Sequence, residues 1–206
     1  MLKQTRQTVL SIVELGAMLI GKSTPYARLM TAAGILFAKG GFHATGINRI
    51  LAEAEVAKMT LYNNFTSKDE LIEAVLRLKS RKIIAWLEGE LARRQEREGQ
   101  GPLEALFGTY GAWFEEEGFR GCFFARATLE FPDPSHPAHK AAASHTRKLF
   151  SVLEGLAENL EDCPLPCPAE HLLLLTEGAT AVAAKTGAGK ASAERALGAA
   201  KALLCP

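Results

Sequence analysis

Apolar residues recur at helical spacing from Thr24 onward. Thr24 is predicted to cap a first helix, and Pro25 suits the first helical position. Gly40–Gly41 predicts the end of this helix, because glycine readily takes the left-handed backbone found there. The apolar positions between these signals follow the period of an amphipathic helix: Tyr26, Leu29, Met30, Ala33, Leu36 and Phe37.

Two short helices and one long helix are predicted next. Thr45 is predicted to cap the second helix, and a third short helix covers Lys58 to Asn63. Ser67 and Glu70 have the spacing of a capping box that opens the long helix. The second helix is expected to bury four residues, Ile47, Ile50, Leu51 and Ala54.

The rest of the chain keeps the helical pattern. Helices are predicted over 103–117, 138–160, 169–185 and 192–204, with a further short helix after Gly121. Proline-rich stretches at 132–139 and 161–168 predict loops. No segment has the alternation of a strand, so the sequence predicts an all-α protein of about nine helices.

Composition agrees with a globular protein whose charge is unevenly distributed. Hydrophobic residues make up 48% and charged residues 23%, and the net charge is +1. Residues 1–82 hold twelve Lys and Arg against six Asp and Glu, whereas residues 83–206 hold twelve against seventeen. A basic first part predicts contact with a polyanion there, although chance asymmetry is the alternative.

Residues 1–23 are interpreted as a flexible extension, or as the result of a start codon assigned too early. The apolar run at 8–21 is interrupted by Glu14 and is too short to span a membrane. It has the basic start of a signal peptide but no cleavage site. We therefore expect a cytoplasmic protein without a membrane partner, in which four cysteines are reduced thiols: Cys122, Cys163, Cys167 and Cys205.

Three short helices with a tight turn between the second and third fit a helix-turn-helix that reads DNA. Lys58 would neutralise a phosphate or bond a guanine edge, and the helix N-termini at Thr45–Gly46 and Ser67–Lys68 would offer backbone N–H groups to phosphates. The alternative is three packed helices with solvated polar faces. The residues expected to face DNA on the third helix are Lys58, Met59, Thr60, Tyr62 and Asn63.

Residues 37–76, "FAKGGFHATGINRILAEAEVAKMTLYNNFTSKDELIEAVL", resemble the N-terminal domain of the TetR family of bacterial transcriptional regulators. The resemblance implies a helix-turn-helix domain at 24–70 and an effector-binding and dimerisation domain at 71–206. It also implies a homodimer on a palindromic double-stranded DNA operator, usually a repressor that a small molecule releases. The last two helices would pair with those of a second copy, through Leu172, Leu175, Ala179, Val182, Ala196, Ala199 and Leu203.

Three residues depart from the family pattern. Glu55 stands at the turn where the family usually has glycine, Leu51 replaces a small alanine, and Met59 replaces a frequent glycine. A left-handed backbone at Glu55 would cost on the order of 1 kcal/mol, which a packed domain can absorb. Either Glu55 takes that conformation or the turn has a different geometry.

The central helices are rich in aromatic residues, from which a family-like pocket for an apolar or aromatic effector would be built. The alternative is that most of these side chains fill the core. The residues predicted to line the pocket are Trp86, Phe107, Tyr110, Trp113, Phe114, Cys122, Phe123, Arg126 and Phe150.

Cys122 follows Gly121 at a predicted helix start, and Arg120 and Arg126 are close in sequence. Cations and a helix N-terminus both favour the reactive thiolate, so a thiol-based redox or electrophile sensor is the alternative function. A buried, inert cysteine is the simpler interpretation.

Enzymatic and metal chemistry have little support in the sequence. No catalytic pair or triad is found, "TGAGK" (186–190) lacks the spacing of a phosphate loop, and it is interpreted as an interhelical turn. Cys163 and Cys167 have weak metal-site spacing without matching partners. We therefore predict no catalytic residues, no metal and no cofactor.

Overall fold

The computed structural model describes residues 24–160 and 163–204, which form nine helices and no strand. The predicted all-α class is confirmed, whereas the extension predicted for residues 1–23 and Cys205 lie outside the described residues. The helices are α1 (Pro25–Gly40), α2 (Ile47–Ala54), α3 (Lys58–Tyr62), α4 (Lys68–Glu98), α5 (Pro102–Phe114), α6 (Phe123–Glu130), α7 (Pro137–Ala157), α8 (Pro168–Thr186) and α9 (Gly189–Leu204).

The chain divides into two compact units. Unit one contains the residues up to Lys79 together with Phe123–Ala143, and unit two contains Ser80–Cys122 and the residues from Ser144 onward. Helix α4 has residues in both units. The sequence prediction instead drew one boundary at residue 70, which leaves α6 and the loop after it outside the DNA-binding domain.

Helix α6 belongs to unit one, where aromatic residues at its start and just after its end pack on Phe42, which follows α1. The Phe42 ring lies 4.9 Å from the Phe123 ring and 5.8 Å from the Phe131 ring, measured between centroids. Phe37, in the last turn of α1, also packs against Phe42, with ring centroids 5.3 Å apart. Phe37 and Phe42 are fully buried, so α6 completes the hydrophobic core of unit one.

The ends of α1 and α4 follow the capping signals in the sequence. The Thr24 hydroxyl accepts the N–H of Ala27 at 3.2 Å, as predicted. At the other end of α1, Gly41 has φ 86° and donates its N–H to the Phe37 carbonyl. Ser67 Oγ accepts the N–H of Glu70 at 3.1 Å and opens α4. Local hydrogen bonds therefore set the bounds of these helices.

Unit two is a helical core in which α9 packs against both α5 and α8. Gly187, with φ 69°, ends α8, and α9 begins two residues later at Gly189. A Cβ at Gly189 would lie 2.7 Å from the Cβ of Phe114, so only glycine allows this approach of α9 to α5. The interhelical turn predicted from "TGAGK" is confirmed. None of the described helices is both long and apolar enough to cross a membrane.

Candidate functional site

A left-handed turn joins α2 to α3. Glu55 has φ 51° and ψ 46°, and it is the one non-glycine residue with positive φ among residues 24–160 and 163–204. Its N–H donates to the Ala52 carbonyl and the Val56 N–H to the Leu51 carbonyl, both at 3.2 Å. This pair of hydrogen bonds defines a Schellman helix end. The turn therefore has the geometry that glycine favours, with glutamate in its place.

We expect Glu55→Gly to stabilise the protein by about 0.5–1 kcal/mol. The left-handed backbone costs an L-residue roughly 1–2 kcal/mol, which exceeds the flexibility that glycine adds to the unfolded chain. Thermal unfolding followed by circular dichroism should show a midpoint higher by about 1–4 °C. Glu55→Gln is the control, because it removes the charge and keeps the Cβ; an equal rise in both variants would show that charge, not backbone strain, is relieved.

Helix α3 presents a polar face that is open to solvent. Leu61 is fully buried and holds α3 against the rest of unit one, whereas Met59 is 69% exposed and Tyr62 49% exposed. The Lys58 ammonium lies 5.7 Å from the centre of the Tyr62 ring. Of the residues predicted to face DNA on α3, Lys58, Met59, Tyr62 and Asn63 are exposed and Thr60 is half-buried.

The N-terminus of α2 differs from the prediction at Thr45. Gly46, not Thr45, occupies the capping position, and no side chain bonds the first N–H groups of α2. Thr45 is buried, and its hydroxyl donates to the Gly41 carbonyl at 2.7 Å. The predicted cap is therefore wrong, because the hydroxyl is used within the loop. Gly46 is exposed, and the uncapped N–H groups beside it are open to an outside acceptor such as a phosphate.

Two exposed polar residues in the first turn of α2 were missed by the sequence interpretation. Asn48 and Arg49 both lie on the surface, two and three residues after Gly46, in the turn whose N–H groups no side chain caps. The missed signal was a basic residue just before the buried Ile50 of a predicted helix. Arg49 adds a cation to the same short segment.

The start of α4 is held by contacts within unit one. The Lys68 ammonium donates to the His43 carbonyl at 3.2 Å. The Glu70 carboxylate accepts the N–H and the hydroxyl of Thr66, and these hydrogen bonds lower the pKa of Glu70. The predicted capping box is thus met on the Ser67 side, but Glu70 reaches back to Thr66 rather than to Ser67. Lys68 keeps further N–H groups that this contact does not use.

Comparison with known proteins shows which family of regulators this chain resembles. Residues 29–75 match a family model described as bacterial regulatory proteins, tetR family. A TetR-family transcriptional regulator from Streptomyces coelicolor has a solved structure with a TM-score of 0.75 and 29% identity, covering 87% of this chain and 93% of that one. In sequence over residues 29–75, and in fold over most of its length, the chain is similar to TetR-family regulators. Members of this family are DNA-binding regulators rather than enzymes.

Two further proteins agree with this similarity to the TetR family. The HTH-type transcriptional repressor KstR2 of Mycolicibacterium smegmatis is 33% identical over 87 residues, which are 42% of this chain and 40% of that protein. The chain thus spans less than half the length of this curated relative. The structure of a putative TetR-family regulator from Streptomyces avermitilis covers 87% of this chain and 99% of its own, at 26% identity and a TM-score of 0.71.

Part of the predicted effector pocket forms a contiguous aromatic cluster in unit two. Trp113 lies 5.8 Å from Tyr110, 5.5 Å from Phe114 and 5.0 Å from Phe119, measured between ring centroids. Phe119 was not among the predicted pocket residues. Burial raises the pKa of Tyr110, whose hydroxyl bonds Thr176. The cluster thus combines ring surfaces with a buried hydroxyl.

The other predicted pocket residues make none of these ring contacts, although Cys122 adds to the effect of burial in raising the pKa of Tyr110. Trp86 and Phe150 are half-buried at the edge of the unit-two core. Phe123 and Arg126 lie in unit one, where the Arg126 guanidinium donates to the Ala38 carbonyl at 2.9 Å. Cys122 is half-buried, and like Cys163 and Cys167 it forms no disulfide. Within the described ranges no group of His, Cys, Asp and Glu residues has the arrangement of a metal site.

A separate groove of about 350 Å³ lies between α5 and α9 in unit two. Phe107 is the predicted pocket residue that lines it. Lys201 pairs with Glu104 at 2.6 Å, which lowers the pKa of that carboxyl. The lining residues are Glu104, Phe107, Gly108, Gly111, Ala112, Glu115, Lys190, Ala193, Glu194 and Leu197.

The residues predicted for the dimer interface differ in their exposure on α8 and α9. Three of them, Leu172, Ala179 and Ala196, are buried within the chain. Val182 and Leu203 are each 45% exposed. Leu175 and Ala199 are half-buried. Leu174 is 71% exposed and shares a face of α8 with the exposed Gly178, Ala181 and Val182.

Proposed function

We propose that this chain is a dimeric transcriptional repressor of the TetR family that binds a palindromic operator and leaves it when a small apolar or aromatic effector binds. The observation that carries the proposal is the exposed polar face of α3, held by the buried Leu61 behind a tight turn. Such a helix can enter a major groove while its neighbours contact the backbone. The cytoplasm, where the operator lies, is the proposed location.

DNA contacts are proposed for α3 and for the start of α2. Lys58 would bind a phosphate or a guanine edge, and Tyr62 and Asn63 would reach phosphates or base edges. The uncapped N–H groups beside Gly46 would bind a phosphate. Thr45 takes part only through its backbone, because its hydroxyl is used inside the loop.

A homodimer is proposed from the exposed apolar residues of α8 and α9. Leu174, Val182 and Leu203 would contact water in a single copy, and burial of such side chains against a second copy is favourable. The exposed Gly178 and Ala181 would let the partner helix approach closely. Two recognition helices would then reach successive major grooves, which are about 34 Å apart.

Effector binding is proposed in unit two, beside the aromatic cluster of Tyr110, Trp113, Phe114 and Phe119. The ring surfaces would contact an apolar or aromatic molecule, and the Tyr110 hydroxyl would orient it. Helix α4 continues without a break from unit one into unit two, so it offers a route by which binding changes operator affinity. Trp86→Phe leaves Trp113 as the one tryptophan, whose fluorescence would report candidate effectors.

The repressor function is supported by the name of one relative and is tested on DNA. KstR2, which is 33% identical over 87 residues, is a transcriptional repressor. We expect the protein to select a palindrome from DNA of its own locus and to bind it in a salt-dependent manner. An effector from a screen should then release the complex. If no duplex from that locus binds better than random DNA, the proposal fails.

Lys58→Ala is expected to weaken operator binding by about tenfold and to lower the salt-dependence slope by about one. Lys58 is exposed on α3 and forms no ion pair within the described residues. Fluorescence anisotropy at several salt concentrations measures both quantities. Lys190→Ala, an exposed lysine of unit two, is the matched control and should change neither; an equal loss in the two variants would show only a general effect of charge.

A further inference from the structure

The loop between α1 and α2 is held by a carboxylate from far along the chain. Glu130, the last residue of α6, accepts the N–H groups of both Phe42 and His43 on its Oε2, each at 2.8 Å. The Glu130 carbonyl in turn accepts a hydrogen bond from His43 Nε2 at 2.7 Å. Glu130 and the loop therefore bond each other in both directions, and all of these residues belong to unit one.

A second residue of α6 holds the end of α1. The Arg126 guanidinium donates to the Ala38 carbonyl at 2.9 Å, in the last turn of that helix. Arg126 and Glu130 are four residues apart, so they lie on the same face of α6. A cation at a helix C-terminus and an anion on free N–H groups are both favourable placements. The two side chains match the charges of the backbone that they contact.

The residues after α6 close around the same loop. The Phe131 ring lies 4.6 Å from the His43 ring and stacks on His136 at 4.4 Å. His136 Nε2 lies 3.5 Å from a carboxylate oxygen of Asp69 at the start of α4. Because Lys68 of α4 also donates to the His43 carbonyl, the α1–α2 loop has contacts with both α6 and α4, although α6 lies outside the segment that resembles a DNA-binding domain.

We propose that Glu130 is a positioning residue for DNA binding: through the N–H groups of Phe42 and His43, it fixes the α1–α2 loop and with it the N-terminus of α2. This inference rests on the proposed function. Only two residues, Ala44 and Thr45, separate His43 from Gly46 at the capping position of α2. Thr45 is itself bonded to the Gly41 carbonyl, so the held loop determines where the uncapped N–H groups of α2 lie.

Replacing Glu130 distinguishes two possible effects of this residue on operator affinity. Loss of its negative charge and loss of its positioning contact predict changes of opposite sign. Removing an anion near DNA should strengthen binding if only electrostatic attraction matters. Loss of the positioning contact should weaken binding. Glu130→Gln removes the charge but keeps an oxygen that can accept both N–H groups, whereas Glu130→Ala removes charge and acceptor together.

The experiment measures the operator Kd of the full chain and both variants, below the unfolding temperature of each. We expect Glu130→Ala to bind about tenfold more weakly, the effect of losing a charge-assisted hydrogen bond, and Glu130→Gln to stay within about threefold of the unsubstituted protein. Leu129→Ala, at the exposed neighbouring residue, should leave Kd unchanged. In two-dimensional NMR, the amide signals of Phe42 and His43 should move upfield in Glu130→Ala.

Three results are decisive. Equal or tighter binding by Glu130→Ala would overturn the positioning role and leave electrostatic attraction as the effect of Glu130. A lower melting temperature with unchanged Kd would also overturn it, because the residue would then act on stability alone. Absence of any specific complex with the unsubstituted protein would overturn the proposed function, and the positioning role with it.

Discussion

Replacing Gly41 with alanine is expected to destabilise the protein by about 3 kcal/mol, the sum of a backbone cost and a displaced carboxylate. Gly41 has φ 86° and ψ 169°, a region that residues other than glycine almost never occupy. The alanine Cβ would also lie 2.7 Å from Oε1 of Glu130. Thermal unfolding should show a midpoint lower by roughly 6–12 °C.

The second part of this cost arises because Glu130 cannot move without losing its hydrogen bonds. A glutamate side chain is flexible, so the short contact would be relieved by moving the carboxylate away from the N–H groups of Phe42 and His43. Each hydrogen bond to a charged group contributes about 1.5–3 kcal/mol, although a half-buried site reduces this figure. The alanine methyl group would thus break the hydrogen bonds from Phe42 and His43 to Glu130, although residue 41 takes no part in them.

Two comparisons separate the backbone cost from the contact cost. Gly99→Ala introduces a Cβ at φ 64° where no atom lies within 4 Å, so it should cost only about 1 kcal/mol. In a Glu130→Ala background, Gly41→Ala should cost less than in the unsubstituted chain, since the short contact no longer exists. A cost at Gly41 equal to that at Gly99 would show that Glu130 does not restrict the loop.

Local signals allowed much of unit one to be predicted. Thr24, Gly41 and Ser67 each bond backbone groups within four residues, so their chemistry can be recognised in the sequence alone. Thr45 shows the limit of such reasoning. A threonine before a helix is a good cap, but here the Gly41 carbonyl takes its hydroxyl and Gly46 occupies the capping position.

Contacts between distant segments were not predictable. Glu130 and Phe42 are 88 residues apart, and a hydrophobic pattern shows which face of a helix is buried without showing against what. This is why α6 was placed with the effector domain and why Phe123 and Arg126 were interpreted as pocket residues.

The buried face of an alanine-rich helix is also hard to predict. Helices α8 and α9 are apolar on several sides, so the sequence does not show which side faces the core. Leu172 and Leu174 look alike in sequence, yet one is fully buried and the other 71% exposed.

The exposed apolar face of α8 is expected to control dimer formation. We expect Leu174→Glu combined with Val182→Glu to give a folded monomer, because both side chains are exposed in the single chain and a charge there costs the fold little. Two carboxylates facing their counterparts in a second copy would be desolvated without partners. Analytical ultracentrifugation should find a dimer for the unsubstituted protein and a monomer for the double variant.

Loss of the dimer should reduce operator affinity far more than loss of a single DNA contact. In a dimer the second recognition helix binds its half-site at an effective concentration near the millimolar range, which raises affinity by a factor of about 10²–10⁴. The monomer should lose this factor on a full palindrome and keep its affinity for a single half-site. Leu129→Glu makes the same change at a leucine of α6 that is 81% exposed, so it should leave the dimer intact. A double variant that stays dimeric would show that this face of α8 is not the interface between copies.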